Sequence, residues 1–244
     1  MAGPRRFSFA DIRNSYTTGK RREEAWGEWG AAFVYRPISY VVTAWLLRWP
    51  ISATTVTVAA LALVAALPLI ALAAPGAYAA VGAVALVVAV LDCVDGNIAR
   101  VTETTSRVGH YLDFLTDVVF RIAFYAAIGV VAARQTDASW LTLEAGSLLG
   151  LAAAVLAVVA RLSRVYAERF TAESVYARPS SGGSRASAAA GILFAVLSGI
   201  DPLLPVIVLV AGYFGALAWV LGWLLAYSLG DFLYSQYAIL RRLA

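Results

Sequence analysis

Residues 81–100 read VGAVALVVAVLDCVDGNIAR: an apolar run that ends in Asp92, Asp95 and Arg100. The run begins at Ala79, and a helix over 79–101 is long enough to cross a hydrocarbon core, which takes about 20 residues. Five further apolar runs flank it, at 54–73, 108–134, 141–168, 186–209 and 211–240. The whole chain of 244 residues is 61% hydrophobic and only 14% charged, with a mean hydropathy of +0.76. A soluble domain carries about 25% charged residues. The expected fold is therefore all-α and integral to the membrane, with six transmembrane helices.

Punctuation between the runs is uneven. Pro75 and Gly76 mark the first turn, and Arg134–Trp140 and Pro179–Ser184 mark loops. The stretch 186–240 is hard to divide, because Asp201, Pro202 and Pro205 must bend or break a helix there. Residues 31–49 differ from the six runs. Arg36, Pro37 and Arg48 interrupt them, and Trp45 and Trp49 stand near their end, a pattern that fits an N-terminal interfacial amphipathic helix. This divides the chain into a juxtamembrane segment, 1–53, and a six-helix transmembrane domain, 54–244. The first 30 residues are polar, so no cleaved secretory signal is expected. Cys93 is the single cysteine, which excludes an intrachain disulfide and a zinc cluster and leaves a buried small hydrophobe as its role.

The net charge of +4 gathers at helix ends. It speaks to topology and anionic lipid, not to nucleic acid. Of the nineteen Lys and Arg residues, only Arg121 and Arg134 fall away from one side of the six-span arrangement. The positive-inside rule makes that side cytoplasmic. Both termini and the turn after Arg100 then face the cytoplasm, as expected for a multi-pass protein of the cell (inner) membrane.

Ionised groups inside apolar helices are costly, so Asp92, Asp95, Asp113 and Asp117 are functional candidates. The spacing i,i+3 puts the first pair on one helix face, and i,i+4 does the same for the second. A short turn makes the two helices antiparallel neighbours whose acidic faces can meet. Four carboxylates so gathered repel one another unless cations compensate them, and Arg100 and Arg121 supply two positive charges at most. Oxygen ligands favour Mg²⁺, Mn²⁺ or Ca²⁺. Two such ions would balance the four charges and suit displacement at phosphorus. A cation transporter is the serious rival on this evidence.

The spacing from Asp92-Cys-Val-Asp95-Gly96-Asn-Ile-Ala99-Arg100 through eight residues to Gly109-His-Tyr-Leu-Asp113-Phe-Leu-Thr-Asp117 resembles the motif of the CDP-alcohol phosphotransferase family at all eight fixed positions. A chance match in a chain of this length is below roughly one in a million at average residue usage. The resemblance implies a metal-dependent transfer of a phospho-alcohol group from a CDP-linked donor to an alcohol, releasing CMP. It implies that Asp92, Asp95 and Asp113 ligate two divalent cations, Mg²⁺ or Mn²⁺. Asp117 would complete that metal site and act as the base. Gly96 and Gly109 would let the nucleotide approach the backbone, Ala99 would keep the helix face small, and Arg100 would contact the phosphates. It also implies a homodimer. Family members often carry Pro-Asn-x-x-Thr before the first span, where this chain has Ala53-Thr54-Thr55-Val56-Thr57, keeping only the threonine.

Outside the motif, Arg161, Arg164 and Arg169 end the fourth span and are read as a positive-inside anchor or as an acceptor-binding pocket for an anionic alcohol. Arg121 lies one turn beyond Asp117, where a buried ion pair with an acid is expected. The expected donor is CDP-diacylglycerol, with inositol phosphate or glycerol phosphate as acceptor in phospholipid biosynthesis. The alternatives are a soluble CDP-alcohol acting on a lipid or polyol, and the cation transporter.

Overall fold

The computed structural model describes residues 7–16, 28–136, 139–170 and 196–243. Among these residues the chain is helical and has no strand. The helices are α1 (Phe9–Asn14), α2 (Arg36–Leu46), α3 (Ala53–Ala73), α4 (Tyr78–Val101), α5 (Arg107–Gln135), α6 (Leu143–Ala167), α7 (Leu204–Tyr213) and α8 (Leu217–Leu243). Six candidate spans are long and apolar enough to cross a membrane: α3, α4, α5, α6, α8 and the stretch Val196–Tyr213, which contains α7. The protein is a multi-pass membrane protein.

Four of the expected spans end within two residues of the observed helices. The last division lies elsewhere. Residues 211–213 belong to α7, and the break falls at Phe214–Ala216, where Gly215 takes φ 71°. Glycine adopts this left-handed geometry without a Cβ clash. Asp201, Pro202 and Leu203 form a single 3₁₀ turn ahead of α7, which accommodates the two prolines without ending the span. The loop Pro179–Ser184 and residues 186–195 lie outside the described residues.

The bundle centres on α5, which packs against α3, α6 and α8. Its core is apolar, with Val64, Leu67, Phe124, Ile128, Leu204 and Leu224 all fully buried. The outer surfaces are also apolar: Leu69, Val155 and Trp219 are exposed on α3, α6 and α8, as expected where lipid replaces water. The helices α4 and α5, joined by a short turn, touch over a limited stretch; α4 packs chiefly on α3, and α5 on α6 and α3. The turn itself is tight. Glu103 sits at φ 57°, and the Thr104 N–H reaches the Ala99 carbonyl at 2.9 Å, a Schellman-type helix stop.

Close approach of α5 and α6 depends on glycine. A Cβ on Gly146 would lie 2.5 Å from the Gly129 carbonyl oxygen, and one on Gly150 would lie 2.5 Å from the Tyr125 carbonyl oxygen. Small residues at such crossings let backbones meet, and packing then replaces the missing hydrophobic drive. We expect Gly146→Val to cost about 1–3 kcal/mol by overpacking. Gly222→Ala, where an added Cβ meets nothing within 4 Å, should leave stability unchanged. Thermal unfolding in detergent measures both, and an unaffected Gly146→Val would contradict the packing.

Candidate active site

The last three turns of α4 and the first three of α5 carry the motif. Ser106 caps α5 by accepting from the Gly109 N–H at 3.0 Å. Gly109 sits close beneath its cap: a Cβ there would be 3.3 Å from Ser106 Oγ. On α4, the Arg100 guanidinium folds back over Gly96, where a Cβ would meet Nη1 at 3.1 Å. Arg100 Nη2 donates to Asn97 Oδ1 at 2.8 Å. Two guanidiniums approach the buried Tyr16 ring, Arg36 at 4.6 Å and Arg100 at 5.4 Å.

The four aspartates differ in burial. Asp95 is buried, Asp117 is half-buried, and Asp92 and Asp113 are exposed. Asp95 Oδ2 accepts from Thr57 Oγ1 at 2.7 Å, so the threonine retained from the family's turn touches the motif directly. Asp92 lies within electrostatic reach of Asp95, Asp113 and Asp117, and also of Glu28. Among the described residues no three His, Cys, Asp or Glu side chains are grouped closely enough to hold a metal ion as they stand, and the motif carboxylates have individual partners within the protein.

Those partners are mainly arginines for Asp117. Arg161 Nε lies 2.7 Å from Asp117 Oδ2, and Arg121 Nε lies 3.6 Å from Oδ1. The Arg161 contact is a charge contact without hydrogen-bond alignment, and Asp117 Oδ2 is a buried oxygen with no hydrogen bond. The Arg161 guanidinium also stands 5.7 Å from the Phe114 ring. The three candidate acceptor arginines have different surroundings. Only Arg161 is placed against the motif, whereas Arg164 donates to both Asp231 oxygens at 2.9 and 3.0 Å and to Ser235 at 2.7 Å. Arg169 is exposed just past the end of α6. Arg121, as expected, pairs with an acid. Its shortest contact, however, is to Asp201 rather than to Asp117.

Several site residues escape sequence reading. Asn97 is fully buried and donates to Ser39 at 3.0 Å and Thr43 at 3.3 Å on α2. It therefore joins the juxtamembrane helix to Arg100. A cleft between Pro50–Thr54 and Ile98, Thr102 and Thr104 opens beside the motif. Its only sequence signal is the departure from the family's turn at residues 53–57.

Six apolar spans, two of them carrying a carboxylate-rich motif, define a multi-pass membrane protein. The sequence profile of the CDP-alcohol phosphatidyltransferase family matches residues 50–226, and the chain belongs to that family. No curated protein matches the chain significantly. The family transfers phosphatidyl groups from CDP-alcohols and in general depends on divalent cations, so this protein is a transferase of phosphate-linked groups. That assignment sets the cation-transporter reading aside.

Asn97→Leu tests the bridge between α2 and the motif. It strands Arg100, Ser39 and Thr43 without their amide partner, and should cost about 1–3 kcal/mol. Thermal unfolding of the variant against the parent protein checks this, and equal midpoints would contradict it.

Proposed function

We propose that the protein transfers a phosphatidyl group from CDP-diacylglycerol to a small phosphorylated alcohol, such as inositol phosphate or glycerol phosphate, and releases CMP. The observation that carries this reading is the complete motif on α4 and α5, with Asp117 facing Arg161 from a neighbouring helix. The lipid donor is supported by the juxtamembrane helix. It buries Ser39 and Thr43 against α4 and exposes Ile38, Val41 and Trp45, with Trp49 exposed just past its end. A helix with apolar and tryptophan residues turned outward suits the membrane interface, beside the end of α4 where the motif lies.

The donor set fits hard divalent ions, because every candidate ligand is a carboxylate oxygen and Asp117 Oδ2 has no hydrogen bond to lose. Two ions, Mg²⁺ or Mn²⁺, held by Asp92, Asp95, Asp113 and Asp117 would supply Lewis-acid polarisation of the donor diphosphate. Thr57 orients Asp95 for that task. Arg100, folded over Gly96, is the cation for the diphosphate, and Gly109 and Ala99 leave room for the nucleotide. Arg161 is the cation for the acceptor's phosphate. Asp117 takes the proton of the acceptor hydroxyl. The hydroxyl oxygen bonds to the β-phosphorus in line with the bond that breaks, and CMP carries off the electron pair.

The basic helix ends support a site that faces the cytoplasm from the cell membrane, by the positive-inside rule. We further propose a homodimer, and a division at residue 53 between the juxtamembrane segment and the catalytic domain.

The deciding experiment measures CMP release by protein reconstituted in lipid nanodiscs. CDP-diacylglycerol with glycerol phosphate or inositol phosphate should support release in Mg²⁺ or Mn²⁺ and not in EDTA. Release only with soluble CDP-alcohols would overturn the lipid-donor reading. Asp117→Asn should lower turnover by about 10²–10⁴-fold in a folded protein, the usual worth of a general base. Near-normal turnover would remove its role. Thr57→Val should raise the Mg²⁺ needed for half-maximal rate by about tenfold, the scale of a lost partner behind a metal ligand. An unchanged requirement would separate Thr57 from the metal site.

A further inference from the structure

Arg121 stands between two carboxylates. Its Nη1 contacts Asp201 Oδ2 at 2.5 Å, while its Nε lies 3.6 Å from Asp117 Oδ1. A guanidinium with free choice closes on a carboxylate to about 2.7–2.9 Å. Asp117 does not get that contact from Arg121, and Asp201 does.

The grip on Asp201 is built from three sides. Tyr125, on α5 one turn beyond Arg121, donates its hydroxyl to Asp201 Oδ1 at 2.6 Å. Tyr125 is itself only 2% exposed, so its hydroxyl has little freedom. Asp201 opens the 3₁₀ turn Asp201–Leu203, whose Pro202 carbonyl accepts from Tyr35 at 2.5 Å. Burial, and next the nearby Cys93, push the Tyr35 hydroxyl above its ordinary range, so it remains protonated as a donor. Just upstream, Trp29 Nε1 donates to the Val196 carbonyl at 3.1 Å, and Gly199 lies under the Trp29 ring with no space for a Cβ. The turn is thus pinned from outside by residues 29–35, and Asp201 is held at a fixed place opposite Arg121.

We propose that Asp201 is a positioning residue for the transfer reaction: it keeps Arg121 from closing on Asp117 Oδ1, so that this oxygen, the one away from Arg161, stays open to the acceptor hydroxyl. The inference rests on the reading of Asp117 as the base. Without Asp201, the nearest anion for Arg121 is Asp117, one helical turn away. Closing the present 3.6 Å separation to a hydrogen-bonded contact would occupy the oxygen that must receive the proton. Arg121 is then a cation the fold restrains, and Asp201 is its restraint.

Steady-state CMP release by the full-length protein in nanodiscs tests this with Asp201→Asn, Arg121→Gln and the double variant. Asp201→Asn should lower kcat by about 10- to 100-fold, the scale of a displaced reacting group, with KM for the donor nearly unchanged. Adding Arg121→Gln should restore most of that loss, because the cation that would collapse onto Asp117 is gone. A purely structural role for Asp201 would leave the double variant as slow as the single one or slower. Wild-type kcat in Asp201→Asn, or no recovery in the double variant, would overturn the inference. If Asp201→Asn fails to fold, Tyr125→Phe, which loosens Asp201 and leaves all charges in place, should lower kcat with KM held; an unchanged kcat overturns the inference equally. Asp117→Asn in the same series separates the two levels. Its retained turnover would sink the base assignment and this inference with it, whereas its loss alongside an indifferent Asp201→Asn would sink the inference alone.

Discussion

Carboxylates within a lipid-facing bundle are the constraint on which the rest of this structure depends. An ionised acid at the centre of a spanning helix costs about 2.5–3.5 kcal/mol even on the milder insertion scales. The protein meets that cost in two ways. Asp201 and Asp231 are each matched to one arginine, Arg121 and Arg164, with hydroxyls of Tyr125 and Ser235 completing the contacts. The motif is different. Asp92, Asp95, Asp113 and Asp117 lie within one another's field near the turn between α4 and α5, and Asp95 is steadied by a neutral hydroxyl, Thr57. The first pattern neutralises each buried acid within the protein. The second leaves anionic oxygen available for a cation and a substrate.

The juxtamembrane segment connects these two systems. Its helix α2 turns Ser39 and Thr43 inward to Asn97, which in turn holds Arg100. The residues just before it, Trp29 and Tyr35, hold the turn that carries Asp201. A helix that buries its polar residues and exposes isoleucine, valine and tryptophan inverts the soluble pattern, as a membrane-side location requires. The same short segment therefore braces the Arg100 end of α4 and, through Asp201 and Arg121, the neighbourhood of Asp117.

Much of the bundle was legible in the sequence, because hydropathy over 18 or more residues is a strong local signal. The run at 54–73 emerges as Ala53–Ala73, and that at 108–134 as Arg107–Gln135. The division of the last two spans was not legible. Residues 204–226 are apolar almost throughout, and Gly215, whose backbone marks the break, is one small residue among many. In the site, the eight motif positions were recognisable through the resemblance to the family, and spacing alone put each aspartate pair on one helix face. Their partners were not recognisable. Thr57, Ser39, Thr43 and Asp201 come from helices whose rotation and depth no local pattern encodes. An acid for Arg121 was expected, but i,i+4 geometry pointed only to Asp117, and Asp201 lies 80 residues away. The glycines at 129, 146 and 150 likewise acquire meaning only once α5 and α6 are seen to cross there.

The central claim is that the motif carboxylates together hold divalent metal around a CDP group. Anomalous scattering from Mn²⁺ in crystals grown with CDP locates such ions directly. The account predicts two manganese peaks bounded by Asp92, Asp95, Asp113 and Asp117. Manganese bound elsewhere, or CDP seated with no metal among these four side chains, would contradict it.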